Sequence, residues 1–321
     1  MRSESDIGLI MSRVNPGRFA DNLDYRQGLR FVIPSLPRPH APMKIPLSPA
    51  QVLLLEGADA AGFANSQFTT DVTQLEPGHW QWNAWLDAQG RVLHFFALLR
   101  PRADALLAWL PLGEADAMRA ALSRFVFRAK VTLDAPSGWV VHALDMHDLP
   151  RPPASGTIVE ASGGYAFEQP GARIVCIAPA QPEDFDAAAL DRWRRADIAA
   201  GLPLLDARLR GEFVPQALDL ERVDAISFRK GCYPGQEIAA RLHFRGGNKR
   251  VLRAFDITSS DAIPPPAPGT PILATDGTTA GHVLYGAAGA FLAVLHESTV
   301  EQSLHLASSP DAALSTMSVV E

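Results

Sequence analysis

Apolar residues change their period several times along the chain, and each change predicts a different element. Pro34, Pro37, Pro39, Pro42, Pro46 and Pro49 punctuate the first stretch. Proline presets φ and removes a donor, so residues 1–46 read as a proline-rich lead-in without regular helix, and the folded body starts near Leu47. QVLLLE (51–56) reads as a short buried strand, and Asp59 is placed to cap a helix that turns Phe63 inward. Trp80, Trp82 and Trp85 are interleaved with other residues before a Gln89-Gly90 turn, and RVLHFFALLR (91–100) resumes as a strand. That pattern predicts a hairpin with the tryptophans in the core. LLAWL (106–110) reads as a strand, followed by a helix from about Glu114 with Met118, Leu122 and Phe125 at helical spacing, then VTL and WVVHAL as strands. This β-α-β-β order suits a sheet with helices on one face. From Asp184 a second helix places Phe185, Ala189, Trp193, Ala196 and Ala200 on one stripe, with Gly201 as its C-terminal cap and Pro203 barring continuation. We expect this helix to pack against the first domain. After Arg250 the pattern turns to short strands around turns such as Asp276-Gly277, with a loop IPPPAPGTP at 263–271. It reads as a small β-barrel.

Length and composition narrow the class. A chain of 321 residues, 47% apolar, buries a substantial core and is long enough for two or three domains. No run approaches the roughly eighteen uncharged apolar residues of a membrane span, and MRSESDIGLIMSRVNPGR lacks a signal-type apolar core, so a cytoplasmic protein with no membrane partner is expected. Cys176 and Cys232 are too few for a disulfide framework or for a four-thiolate iron–sulfur cluster. The formal charge is −6, yet between Arg229 and Arg253 seven basic residues face the single acid Glu237. Positive charge concentrated in an acidic protein points to an anionic partner, the alternative being a solvated basic helix face.

The motifs exclude several chemistries. The sequence holds no phosphate-loop, nucleophile-elbow or zinc-helix pattern. His142 and His147 are spaced wrongly for one helix face, so no metal site is expected, and His94 within an apolar strand reads as structural. The informative segment is KGCYPGQE, 230–237. Pro234-Gly235 suits the central positions of a type II turn, and Gln236 can open a helix. Cys232 then sits beside Arg229 and Lys230 and near a helix N-terminus, features that favour a thiolate. Cys176, in the apolar run RIVCIA, reads as a packing residue.

With FVPQ (213–216) upstream and FRGGNKR (244–250) downstream, that segment resembles the signature of the YgfZ-type folate-binding proteins, relatives of the T-protein (aminomethyltransferase) of the glycine cleavage system. GADAAGFANSQFTTDVTQL (57–75) and LDAQGRV (86–92) are similar to the same family's N-terminal blocks, in the right order. The resemblance implies an α+β fold: a three-domain cloverleaf around a central folate site, ending in a small β-barrel. It also implies a discontinuous folate-binding domain over 47–100 and 180–247, an α+β domain over 101–179, and a barrel over 248–321. A flat pterin with a glutamate tail needs an apolar slot, polar groups at the ring edge and cations for the tail. Candidates for tetrahydrofolate are Gln67, Thr69 and Asp71 from the first block, with Trp85 as a stacking surface. Beside Cys232, the reactive thiol, Tyr233, Gln236 and Glu237 are further folate-binding candidates, the last two for polar ring contacts, while Lys230, Arg241 and Arg245 would meet the carboxylates. The plain alternative for Thr69-Thr70-Asp71 is a strand end and turn.

The T-protein carries paired aspartates after a glycine-containing turn, whereas this chain runs Gly90-Arg91-Val92-Leu93-His94-Phe95. Without that carboxylate, aminomethyl transfer lacks its proton partner, so the enzyme reading is secondary. The expectation is a monomeric tetrahydrofolate-binding accessory protein supporting assembly or repair of iron–sulfur enzymes. Its partners would be iron–sulfur client or assembly proteins, and its link to tRNA indirect. A folate-dependent one-carbon transferase and a tRNA-binding module are the alternatives.

Overall fold

The computed structural model describes residues 44–179, 186–259 and 263–319. Almost all of the proline-rich lead-in, together with Asp184 and Phe185, lies outside the described residues.

After a short strand β1 (Ile45–Pro46), the chain forms β2 (Gln51–Glu56), α1 (Ala60–Gln67), β3 (His79–Leu86), β4 (Val92–Arg102), β5 (Ala105–Leu110), α2 (Ala115–Ser123) and β6 (Thr132–Asp134). The order β3-β4-β5-β2-β6 makes one antiparallel sheet. Its strands read as near-continuous apolar runs because both faces are covered. Phe96 and Leu98 of β4 face α1 and α2 with Phe63, Met118 and Leu122, while Phe95, Ala97 and Leu99 face the central core. Both helices thus lie on one sheet face, although WVVHAL, the last strand of the expected β-α-β-β unit, pairs in another sheet. Two details differ. Asp59 occupies the N-cap position of α1, but its carboxylate accepts the Lys130 N–H and bonds no helix N–H. Phe125 lies beyond the end of α2 and is 43% exposed, because the helix stops one residue after Leu122 has completed its apolar face.

Strands β7 (Trp139–Leu144), β8 (Ile158–Ala161), β9 (Gly164–Gln169) and β10 (Arg173–Pro179) form a second antiparallel sheet with β1, in the order β1-β7-β10-β9-β8. The segment 101–179 is therefore shared: β5, α2 and β6 belong to the first sheet and β7 to β10 to the second. Cys176 is fully buried in β10.

Helix α3 (Ala187–Ala199) is capped by Asp186, whose carboxylate accepts the Ala189 N–H at 3.0 Å. It buries Ala189, Leu190, Trp193, Asp197 and Ile198, while Ala196 is only half-buried. Where packing on the first domain was expected, α3 instead lies on β1 and on two strands of the C-terminal sheet. Arg195 of α3 pairs with Asp256 in the C-terminal sheet, while Asp197 on the buried face pairs with Arg173 of β10 at 2.7 Å and the Arg173 guanidinium covers the Trp193 ring.

Irregular chain then leads to α4 (Gln236–Arg245) and to the C-terminal strands β11 (Arg250–Thr258), β12 (Pro271–Ala274), β13 (Thr279–Ala287), β14 (Ala290–His296), β15 (Leu304–Leu306) and β16 (Ala313–Met317). Their order β15-β12-β13-β14-β11-β16 gives a nearly closed barrel around Phe255, Val283, Phe291, Leu295 and Leu306. Asp276-Gly277 makes the β12–β13 turn, with Gly277 at φ 81°. Among the described residues no helix is long and apolar enough to cross a membrane.

Candidate functional site

The motif blocks of the sequence meet in space, and Lys230 is the residue that joins them. Its ammonium donates to the carbonyls of Asn65 (2.6 Å), Phe68 (2.6 Å) and Thr70 (2.9 Å), taking up the carbonyl end of α1. A cation at a helix C-terminus satisfies carbonyls that have no partner within the helix. Burial pulls the Lys230 amine down to about 8 and the Asp71 carboxylate pushes the other way. Three carbonyl oxygens on Nζ favour the ammonium as well. Tyr233 lies beneath that ammonium, 5.1 Å from ring centre to Nζ, and its hydroxyl donates to Ser227 O. Thr69 closes the joint: its hydroxyl donates to Ala225 O at 2.6 Å and accepts the Ala84 N–H at 2.8 Å.

The turn forms as the sequence predicts. Gly235 adopts φ 75° and ψ 0°, the Gln236 N–H reaches Tyr233 O, and α4 begins at Gln236. This is type II geometry with Pro234 and Gly235 at its centre. Gly235 rests on the hairpin turn of the first sheet, where a Cβ would lie 2.4 Å from Asp87 O and 2.6 Å from Gly90 Cα. FVPQ fixes the other side: Gln216 Nε2 donates to Ala239 O, and Phe213 O accepts from Val92 N. Cys232 is exposed, at the mouth of a shallow depression with Ala88, Gln236 and Glu237.

The candidate residues divide into two groups. Gln67, Thr69, Asp71, Lys230 and Tyr233 gather around the carbonyl end of α1, and Trp85 adjoins them through a backbone bridge to Phe68. Lys230 and Tyr233 are committed to the scaffold, and Asp71 accepts the Thr73 N–H and hydroxyl, which together hold its carboxyl below the usual range. Thr69, Thr70 and Asp71 lie in the bend that follows α1 and the isolated bridge at Phe68, where no strand ends. Trp85 is buried between Phe125 and His94. Gln236, Glu237, Arg241 and Arg245 lie along α4, with Glu237 and both arginines exposed.

Several buried polar atoms are left without partners. Gln67 Oε1, Asn83 Nδ2 and Trp85 Nε1 are buried without a hydrogen-bond partner, although such atoms are normally satisfied. Trp85 stacks on His94, whose imidazole burial holds neutral, down to about 3, with Arg210 adding to the effect. His94 in turn lines a closed cavity of about 10 Å³ with Leu112, Glu114, Leu204 and Arg210, where Arg210 pairs with Glu114. In type these donors and acceptors suit a pterin edge, but Gln67, Asn83 and Trp85 do not line that cavity, whose volume holds about one water. Sequence reasoning did not single out Asn83, Glu114 or Arg210. Asn83 carried a signal, a lone amide inside the apolar run WQWNAWL, whereas Arg210 carried none.

No family model matches the sequence. It is 31% identical over 227 residues to the tRNA-modifying protein YgfZ of Klebsiella pneumoniae (strain 342), an alignment covering 64% of this chain and 69% of that protein. An uncharacterised protein of Haemophilus influenzae is 30% identical over 221 residues, covering 66% of this chain and 73% of its own length. The crystal structure of the glycine cleavage system aminomethyltransferase T from Bartonella henselae superposes with a TM-score of 0.66 over 87% of this chain and 86% of that one, at 16% identity. That likeness establishes the T-protein fold. Taken with the joined motif blocks and the sequence identity to the Klebsiella protein, it follows that the chain belongs to the YgfZ family.

Proposed function

We propose that this protein binds tetrahydrofolate and supports the assembly or repair of iron–sulfur enzymes, with Cys232 as its reactive thiol. The observation that carries the reading is Cys232 itself, exposed on a turn that Pro234, Gly235 and the Lys230 clamp hold rigid. A thiol kept for packing would be buried, as Cys176 is. Gln67, Asn83 and Trp85 supply the orphaned donors and acceptor for the pterin edge, and exposed Arg241 and Arg245 supply cations for a glutamate tail. Because the Klebsiella relative is named a tRNA-modifying protein, the proposed clients are iron–sulfur enzymes acting on tRNA. Aminomethyl transfer is not part of the proposal, since β4 opens Val92-Leu93-His94 with no carboxylate to manage the folate proton.

Two measurements test it. Calorimetry with tetrahydrofolate should give saturable one-site binding that weakens in Asn83→Leu; absence of heat with reduced folates ends the folate claim. In a strain lacking its own homologue, the wild-type chain should restore iron–sulfur enzyme activity and Cys232→Ser should not. Equal rescue removes the thiol from the mechanism.

A further inference from the structure

Phe125, Phe127 and Phe244 are exposed by 43%, 85% and 74%, and they are the large hydrophobic side chains that the described part of the fold leaves in solvent. Each sits among cations. Arg124 and Arg128 flank the first two, Arg241 and Arg245 flank the third, and all four arginines are exposed. Among the described residues none of these arginines has a carboxylate within ion-pair distance, although the protein as a whole is acidic.

The phenylalanines are not stray core residues. On α4, Ala239 is buried and Ile238 in the first turn meets Gly90, while Arg241, Phe244 and Arg245, three and four residues apart, are neighbours on the exposed surface further along. Phe244 rests edge-on against His243, which stacks on Phe228 with ring centres 4.2 Å apart and is held by Glu221 at 2.9 Å. One ring face is thus supported from below while the rest stays open. Phe125 meets the Trp85 ring, and Trp85 leads into the Asp87–Gly90 turn on which Gly235 at the start of α4 is seated. The first aromatic–arginine segment thus adjoins that hairpin through Phe125, the second is carried by the helix seated on its tip, and exposed Cys232 precedes that helix.

We infer that this surface docks RNA through unpaired bases, the phenylalanines stacking on them and the arginines holding the phosphates. Single-stranded nucleic acid is bound by this combination of aromatic faces and unpaired cations. An anionic membrane would ask for a contiguous apolar face, whereas the apolar side of α4 is already packed and each phenylalanine segment is set in charge. The proposal goes beyond the folate reading, and because Arg241 and Arg245 serve a glutamate tail there and phosphates here, the RNA test is run without folate.

The test is fluorescence anisotropy of the full chain with a labelled polyuridine oligonucleotide of about twelve nucleotides, at several salt concentrations. Phe244→Ala and Phe127→Ala should each weaken binding about tenfold, while Phe244→Trp should retain it. Arg241→Gln with Arg245→Gln should lower the slope of log affinity against log salt by about 1.4, about 0.7 per lost phosphate contact. A blunt RNA duplex of equal length should bind more weakly. The inference is overturned by absent polyuridine binding, by phenylalanine variants that bind like wild type, or by equal affinity for duplex and single strand. Capture by phosphatidylserine vesicles or polyglutamate in place of polyuridine would overturn it as well.

Discussion

Lys230 was chosen from the sequence for its charge, and the fold spends that charge on the backbone. Its acceptors, Asn65, Phe68 and Thr70, lie 160 or more positions away, and nothing local in KGCYPGQE announces them. His94 was legible in the opposite sense, since a histidine inside HFFALL is expected to be buried and neutral, and it is. That burial has a pH consequence. The folded-state pKa is depressed from 6.5 to about 3, mainly by desolvation. The associated stability is present above pH 6.5 and is lost as pH falls toward 3, because the unfolded chain takes up a proton that the folded one refuses. Between pH 7 and pH 5 this group alone removes about 2 kcal/mol. In urea titrations at the two pH values, His94→Phe should lose about 2 kcal/mol less than wild type; equal losses would mean that the imidazole is already protonated in the fold.

Among the elements, α4 shows how a turn readable in sequence becomes a joint that is not. Proline and glycine at 234 and 235 specify the type II turn by their own backbone preferences, but the seat of Gly235 on Asp87 and Gly90 depends on a hairpin far away in the chain. Gly235→Ala combines positive φ with contacts to backbone atoms that cannot swing aside, so it should cost about 2 to 4 kcal/mol. Gly231→Ala, four residues earlier in the same loop, meets nothing within 4 Å and should stay within about 0.5 kcal/mol. Denaturant unfolding of the two variants checks the contrast. Comparable costs would show that the loop as a whole is sensitive, and that the seat on the hairpin is not what holds α4. Phe125 was misread at this same scale: helical spacing continued past Leu122, but the apolar face was already complete.

Taken whole, the two sheets, α3 and the barrel contribute to one central core. Trp82, Ala97 and Trp109 from the first sheet meet Val141, Phe167 and Val175 from the second, and Leu252, Leu284 and Leu292 from the barrel belong to the same cluster, with Trp193 of α3 among them. Individual strands were visible from their apolar runs. The assignment of β6 to β2, and of α3 to the barrel, was not, because partner choice depends on pairs distant in sequence, such as Arg195–Asp256, that no period encodes. A shared core predicts shared melting, since truncating any contributor exposes the others. Leu292→Ala in the barrel should cost about 2 to 5 kcal/mol and lower the thermal midpoint by about 5 to 10 °C. Tryptophan fluorescence, dominated by residues of the first sheet, should report the same lowered midpoint as far-UV circular dichroism. If the barrel melts first while that fluorescence holds its wild-type midpoint, the sheets are separable domains. Damage at Leu292 would then leave the Lys230 joint and the presentation of Cys232 untouched.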